Sequence, residues 1–305
     1  MPTAIGFSRF GAPEVLHPLQ IETPCPGPGQ ALVRVRAAGV NPVDCKIRRG
    51  DFTGAEPEHF PQRLGNEFAG TVVAMGPDTP AESAIAVGTD VLGSTAAQAY
   101  AESLVVDTEG LAVKPPSVPW EMAGGLPAAG QTARTALSRL EVGAGDVVLV
   151  HAAAGGVGTL AVQLAGELGA QVIGTASEAN HDYLRRLGAA PVRYGPGLTE
   201  RVRALAPEGV DAALDLVGGE AVITSLALVR DRYRIGTTVD QGAVAEHGVQ
   251  RVGGRSHAAL QEVVDLAAAD RLTLPVRTFP LGDAASAHRA VETGHVRGKV
   301  ILTVY

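Results

Sequence analysis

The chain has 305 residues, of which 46% are hydrophobic and 19% are charged, so it can bury a large core and is not disordered. Its 25 Lys and Arg residues against 32 Asp and Glu residues give a formal net charge of -7, which argues against a nucleic-acid-binding protein. A chain of this length predicts two domains or one large domain.

Neither a membrane span nor a targeting segment is predicted. The longest uncharged run, 147–166, contains His151 and several glycines, and it predicts a buried strand, a glycine turn and a helix rather than a membrane span. Residues 1–10 lack the apolar segment of a signal peptide. The two cysteines, Cys25 and Cys45, fit a reducing compartment. We therefore expect a cytoplasmic protein with no membrane partner.

The first third of the chain is predicted to form strands joined by proline and glycine turns. Residues Ala31 to Ala37 alternate between an apolar face and a face with two arginines, as in a half-buried strand. Phe68 to Met75 and Val91 to Leu92 are further extended runs. These segments predict a small, mostly antiparallel β domain. At the other end of the sequence, Lys299 to Val304 is a strand-like tail.

Strand and helix patterns alternate after Pro116. The predicted strands are 147–150, 171–175, 192–194, 212–216 and 233–239, and the predicted helices are 158–168, 179–187, 199–206, 220–229 and 256–268. Such alternation predicts βα units with a mainly parallel sheet, and a ligand at the carboxyl ends of its strands.

The strand 147–150 runs into an Ala-x-Gly-x-x-Gly turn that begins at Ala153 and ends at Gly158, followed by a predicted helix. Glycines remove the Cβ atoms that would block a diphosphate, and the first helical turn presents free N–H groups to it. The pattern predicts dinucleotide binding; the alternative is a purely structural turn.

The second predicted strand of this region ends at Thr175, and no carboxylate follows at Ala176 or Ser177. An Asp or Glu there would bind the ribose 2′-hydroxyl of NAD and repel the 2′-phosphate of NADP. Ser177 and Arg185 offer a donor and a positive charge to a phosphate, whereas Glu178 argues the other way unless its side chain faces solvent. We expect NADPH to be preferred over NADH.

Several motifs together resemble the medium-chain dehydrogenase/reductase family, in its zinc-independent quinone oxidoreductase group. They are Ala-Gly-Val-Asn-Pro-Val-Asp at 38–44, Leu-Gly-Asn-Glu-Phe-Ala-Gly at 64–70, Leu-Pro-Ala-Ala-Gly-Gln-Thr-Ala at 126–133, the glycine turn, and Gly-Lys-Val at 298–300. The resemblance implies an α/β fold with a GroES-like, mostly antiparallel β domain (1–115 and 275–305) and a Rossmann domain with a doubly wound parallel sheet (116–274). It also implies a homodimer.

Zinc-dependent relatives place a Cys where this chain has Asn41 and a Gly-His-Glu where it has Gly65-Asn66-Glu67. The chain also lacks the closely spaced cysteines of a structural zinc site, since Cys25 and Cys45 cannot form one. We therefore expect no metal.

The resemblance implies hydride transfer from NADPH to a small-molecule electrophilic acceptor, a quinone or an α,β-unsaturated carbonyl compound. Asn41, Asp44 and Tyr100 are the candidate catalytic residues. Alternatives remain for each: Asn41 as a turn residue before Pro42, Asp44 as a structural carboxylate, and Tyr100 as a packing residue. Two other functions also remain open, a non-catalytic NADPH-binding sensor or structural protein, and a dedicated enoyl reductase of a biosynthetic pathway.

The residues expected to contact the cofactor are Asn41, Thr132, Ala153, Gly155, Gly156, Val157, Gly158, Thr175, Ser177, Arg185, Tyr194, Val217 and Lys299. For Thr132 the alternative is an N-terminal helix cap, and for Tyr194 an ordinary core aromatic. Arg185 and Lys299 have the alternative of solvated surface charges.

Overall fold

The computed structural model describes residues 1–51, 60–77 and 84–305. The chain divides into two compact units. Unit 1 comprises Met1–Ala128, Leu260–Ala269 and Leu274–Tyr305, and unit 2 comprises Ala129–Ala259 and Asp270–Thr273. Within the described ranges, no helix is both long enough and apolar enough to cross a membrane.

The strands found in these ranges are β1 Thr3–Phe7, β2 Leu16–Gln20, β3 Gln30–Val40, β4 Gln62–Arg63, β5 Glu67–Met75, β6 Asp90–Ser94, β7 Ser103–Asp107, β8 Leu111–Val113, β9 Val147–Val150, β10 Gln171–Ala176, β11 Ala189–Arg193, β12 Ala212–Asp215, β13 Ile235–Thr237, β14 Gln250–Arg251, β15 Val276–Pro280 and β16 Lys299–Thr303. The helices are α1 Pro42–Arg49, α2 Trp120–Ala123, α3 Leu126–Arg139, α4 Gly156–Glu167, α5 His181–Arg186, α6 Leu198–Leu205, α7 Glu220–Leu228, α8 Gln241–His247, α9 His257–Ala268 and α10 Ala284–Glu292.

Unit 1 is built on a sheet in the order β15-β16-β3-β5-β6-β8, with β7 also paired to β3. All its pairs are antiparallel except β15 with β16. A smaller antiparallel sheet has the order β2-β1-β4. The C-terminal strand β16 lies beside β3, so the end of the chain completes the sheet begun near its start.

Unit 2 contains a parallel sheet in the order β11-β10-β9-β12-β13-β14. Strand β9 is apolar and largely buried, as expected for a central parallel strand covered on both faces. The strand order reverses on either side of β9, which places a topological switch point at its carboxyl end. The predicted fold class, a doubly wound parallel sheet with a GroES-like antiparallel β domain, is confirmed.

Each unit has its own apolar core. The core of unit 1 gathers buried side chains from its sheets and from α10, including Phe7, Phe68 and Ala287. The core of unit 2 is formed around the sheet by residues such as Leu149 and Val202. Burial on this scale is the main source of folding free energy for both units.

The predicted elements are present, but several of their ends differ. The predicted strand 233–239 shortens to β13, because the Asp231 carboxylate accepts the Tyr233 N–H (2.9 Å) and holds Arg232–Arg234 in a 3₁₀ turn. The predicted helix 179–187 shortens to α5, and a separate 3₁₀ turn, Glu178–Asn180, precedes it. At β13, the side-chain hydrogen bond of Asp231 thus competes with regular structure and shifts the boundary.

Candidate functional site

The glycine turn lies between β9 and α4, at the switch point of the parallel sheet. Thr175 on β10 holds the turn, because its hydroxyl accepts the Ala152 N–H (3.1 Å) and its carbonyl accepts the Ala153 N–H (3.0 Å). Ala153 and Thr175 are 0% and 2% exposed. Both were expected to contact a cofactor; their burial shows instead that they shape the turn from within.

The space around Gly155 and Gly158 shows why the turn has glycine at these two positions. A Cβ on Gly158 would lie 2.3 Å from the Ala152 carbonyl oxygen, so only glycine lets α4 begin this close to the turn. A Cβ on Gly155 would meet only the same oxygen, at 3.4 Å, and would otherwise point into open space. Gly155 is the N-cap of α4 and caps it with no side chain, so the N–H groups of the first turn are left for a ligand. This end of α4 fits a diphosphate.

The loop after β12 also ends at this edge of the sheet. The buried Asp215 carboxylate accepts the Val217 N–H (2.9 Å) and the Thr237 hydroxyl (2.6 Å). Val217 itself is 60% exposed, so it has surface to offer a ligand. Sequence reasoning missed Asp215 and Thr237; the signal was an Asp near the end of a predicted strand, two residues before Val217 and the two glycines that follow it.

The ends of β10 and β11 bring Ser177, Glu178, Arg193 and Tyr194 into one region, because Ala176 pairs with Arg193 in the parallel register. Arg193 forms an exposed ion pair with Glu178 (Nη1 to Oε1, 3.3 Å). Tyr194 is 52% exposed and is therefore not a core aromatic. Sequence reasoning missed Arg193, although a basic residue directly before Tyr194 on the next strand was a usable signal.

Four further candidates of unit 2 lie on helices: Gly156 and Val157 open α4, Arg185 lies on α5 and Thr132 on α3. Arg185 pairs with Asp182 one turn earlier in α5 (2.6 Å), and both side chains are exposed. Thr132 lies in the interior of α3, well after its first residue, Leu126, so the alternative of an N-terminal cap is wrong. Thr132 is half-buried.

In unit 1, Asn41 is held by two charged groups. Its Nδ2 donates to Glu67 Oε1 (2.9 Å), and its Oδ1 accepts from Lys299 Nζ (2.6 Å). Lys299 also pairs with Glu67, whose other oxygen accepts the Ala128 N–H (2.7 Å). Lys299 is 5% exposed and Glu67 is fully buried, so the alternative of Lys299 as a solvated surface charge is wrong.

The residues around Asn41 do not fit a zinc ion. An amide replaces the cysteine of zinc enzymes, and the Lys299 ammonium already donates to Asn41 and Glu67, where a second cation would be repelled. In the part of the chain that the structure describes, no group of three or more His, Cys, Asp or Glu side chains could hold a metal.

Asp44 and Tyr100 are both fully buried, so neither has surface with which to touch a substrate. Asp44 accepts the Asn41 N–H (2.8 Å) and the Asn66 side-chain amide (2.7 Å), and Tyr100 donates to it (3.3 Å). Burial raises the pKa of Asp44 to about 6, against the opposing effect of its backbone N–H donors. As catalytic candidates these two residues are corrected: the structure favours the structural carboxylate for Asp44, with Tyr100 as its donor.

Comparison with known proteins agrees with both units. The alcohol dehydrogenase GroES-like domain model matches residues 27–116, and a model described as zinc-binding dehydrogenase matches residues 187–302. The quinone oxidoreductase of Coxiella burnetii is 35% identical and superimposes with a TM-score of 0.90 over 100% of this chain and 99% of that chain. The Escherichia coli quinone oxidoreductase, solved in complex with NADPH, is 26% identical with a TM-score of 0.87, over 99% and 100% of the two chains.

A curated relative of another size also matches. The spectinabilin polyketide synthase system protein NorB of Streptomyces orinoci is 34% identical over 309 residues, which cover 92% of this chain but 14% of NorB. The chain thus spans a small part of that relative's length. From the matched domains and solved structures, the chain belongs to the medium-chain dehydrogenase/reductase family, in its zinc-independent quinone oxidoreductase group, and is an oxidoreductase. The predicted family and enzyme class are confirmed.

Proposed function

We propose that the protein is an NADPH-dependent reductase that transfers hydride to a quinone or to an α,β-unsaturated carbonyl compound. The observation that carries the proposal is the N-terminus of α4 at the switch point of a parallel sheet. A Cβ on Gly155 would meet only the Ala152 carbonyl oxygen there, and the N–H groups of the first turn have no partner within the helix. When bound, the cofactor would supply the hydride. The role of the chain is to bind the cofactor, orient the acceptor and polarise it.

The proposed preference for NADPH depends on the region at the ends of β10 and β11. No carboxylate follows β10 directly, and Glu178 is already paired with Arg193. Arg193, Ser177 and Tyr194 therefore offer charge, a hydroxyl and an exposed ring to a ribose 2′-phosphate. The complex of the E. coli quinone oxidoreductase with NADPH supports the same choice.

Asn41 is the proposed hydrogen-bond donor to the acceptor or to the nicotinamide. Its amide can point only one way, because Lys299 has no acceptor and must face Oδ1, while the Glu67 carboxylate must face Nδ2. Nδ2 carries two hydrogens and Glu67 takes one, so the second is available to a carbonyl oxygen. A donor aimed at a developing oxyanion stabilises it during hydride transfer.

A second candidate acceptor is an enoyl intermediate of a biosynthetic pathway. It is favoured by the relatives named as polyketide synthases, which match at least 90% of this chain. The small-molecule acceptor, the homodimer and the cytoplasmic location remain predictions.

The test is the oxidation of NADPH and NADH by the purified protein with naphthoquinones, enones and an enoyl thioester. We expect NADPH to be oxidised faster than NADH, and the preferred acceptor to distinguish the two candidates. Tight NADPH binding without turnover on any acceptor would instead support a non-catalytic sensor. The absence of both binding and turnover would exclude the proposal.

A further inference from the structure

A line of buried polar side chains in unit 1 begins and ends on α1 and passes through His288 on α10. Arg48 Nη1 lies 3.4 Å from His288 Nδ1, His288 Nε2 lies 3.2 Å from the Tyr100 hydroxyl, and that hydroxyl lies 3.3 Å from Asp44 Oδ2. All four residues are fully buried. At its outer end Arg48 pairs with Glu292, which is partly exposed.

Chemistry fixes the direction of every hydrogen bond in this line. Arg48 can only donate, so His288 Nδ1 must accept. Burial and the charge of Arg48 lower the pKa of His288 to about 3, so the ring is neutral and carries its proton on Nε2. Nε2 then donates to Tyr100, and the Tyr100 hydroxyl donates to Asp44. Each donor points toward the Asp44 carboxylate. Hydrogen bonds in such a chain polarise one another, and each becomes stronger.

Asp44, held by this line, in turn accepts hydrogen bonds from Asn41, Asn66 and Gly65. One oxygen accepts the Asn41 N–H (2.8 Å), and the other accepts the Asn66 amide (2.7 Å) and the Gly65 N–H (3.3 Å). Asn41 and Asn66 stand where, by the family resemblance, zinc-dependent relatives place a Cys and a His. The carboxylate therefore ties together the start of α1 and the turn before β5.

We propose that His288 is a positioning residue: from α10 it orients Tyr100 and Asp44, and through them it holds Asn41 and Asn66 in the geometry that the reaction requires. The inference depends on the proposed function, in which Asn41 is the donor to the acceptor. His288 touches neither cofactor nor substrate. The structure offers no other hydrogen-bond partner for Tyr100 among the described side chains than His288 and Asp44.

The test compares His288→Leu, which keeps the volume and removes both ring nitrogens, with His288→Gln, whose amide can accept from Arg48 and donate to Tyr100. We expect His288→Leu to lower kcat for the preferred acceptor about tenfold with KM for NADPH within about twofold, since cofactor binding is not touched. His288→Gln should recover most of the loss. Leu281→Ala, which opens a cavity in the same core near α10, is the control for lost stability.

A readout that does not depend on turnover is the NMR signal of the Asn41 and Asn66 side-chain amides. We expect both to shift and to exchange faster in His288→Leu, and to stay in place in Leu281→Ala. If His288→Leu does not fold, Tyr100→Phe removes one O–H from the same line and replaces it in the test.

The possible failures are distinguishable. An inactive wild type overturns the proposed function. An active wild type with kcat and amide signals unchanged in His288→Leu or Tyr100→Phe overturns the positioning role, and so does an equal loss of kcat in Leu281→Ala at an equal melting temperature.

Discussion

Lys299 donates a hydrogen bond to Asn41 over 2.6 Å, so a buried ammonium lies against the residue that stands in place of a zinc-binding cysteine. The antiparallel pairing of β16 with β3 sets this contact. Val300 pairs with Val40, so Lys299, which precedes Val300, lies opposite Asn41, which follows Val40. Strand β16 thus places the Lys299 ammonium in a fixed position beside Asn41. The orientation of the Asn41 amide depends on it.

Replacing Lys299 by Met is predicted to destabilise unit 1 strongly. The change leaves the Glu67 carboxylate buried without its partner, and losing one member of a buried ion pair costs about 3–5 kcal/mol. The measurement is the free energy of unfolding from denaturant titration. The double variant Lys299→Met with Glu67→Gln removes the uncompensated charge and should recover a large part of the loss. A single variant as stable as the wild type would contradict the ion pair.

Gly156→Val is predicted to abolish NADPH binding while unit 2 stays folded. The substitution puts a branched side chain on the first residue of α4, where the proposal places the diphosphate against bare backbone. The measurement is a titration of NADPH fluorescence, with circular dichroism to confirm folding.

The matched control is Gly166→Ala, near the other end of the same helix, where a Cβ would meet nothing within 4 Å. It should bind NADPH as the wild type does and be more stable by up to about 1 kcal/mol, because Ala is the better helix former. Unchanged NADPH affinity in Gly156→Val would place the diphosphate elsewhere.

The fold was largely predictable from local pattern. Strand β9 and helix α4 follow from an apolar run, a glycine turn and helical spacing, each of which is written in consecutive residues. The contact of Lys299 with Asn41 was not predictable in this way, because it joins residues 258 positions apart through strand pairing. Sequence alone left Lys299 open as a surface charge.

The same limit explains the correction at Asp44 and Tyr100. Asp44 lies within a family motif and Tyr100 lies between two motifs, and polar side chains in such a region suggest catalysis. Only the tertiary contacts show that Asp44 is surrounded by donors and that its neighbour Tyr100 bonds to His288 on the distant helix α10. Burial, which sequence does not report for a single polar residue, separates a positioning role from direct contact with substrate.

Arg193→Gln is predicted to weaken binding of NADPH but not of NADH. Arg193 is the last residue of β11 and pairs in the parallel register with Ala176, the residue before Ser177. A charge-assisted hydrogen bond to phosphate contributes about 1.5–3 kcal/mol, or roughly 10- to 100-fold in affinity. The measurement is binding of 2′,5′-ADP against 5′-AMP by calorimetry, which needs no acceptor.

Arg185→Gln is the control for this prediction, because Arg185 lies on α5, where it pairs with Asp182, and not at the strand ends beside Ser177. It should change the affinity for 2′,5′-ADP little. A larger loss of affinity in Arg185→Gln than in Arg193→Gln would show that Arg185 on α5 contacts the 2′-phosphate, as predicted from the sequence.

His151 is predicted to make the protein less stable in mild acid. Its Nε2 bonds to Ser225 (3.0 Å), and since the Ser225 hydroxyl donates to the Ala221 carbonyl, Nε2 must carry the proton of a neutral ring. Burial lowers the pKa of His151 to about 4, below its ordinary value of 6.5. The folded state therefore resists protonation, and the contribution to stability is present above pH 6.5 and is lost as the pH falls toward 4.

Between pH 7.5 and pH 5 this one residue should remove about 2 kcal/mol from the free energy of unfolding. His151→Gln cannot gain a proton in that range, so its stability should fall less over the same interval, whatever its stability at pH 7.5. The measurement is urea unfolding of both proteins at the two pH values. The unfolding of unit 2, which contains His151, is followed by a spectroscopic probe placed in that unit. His288 contributes a decline of the same sign to both proteins, so the difference between their slopes belongs to His151. Equal slopes would mean that the ring is charged, or exposed, in the folded protein.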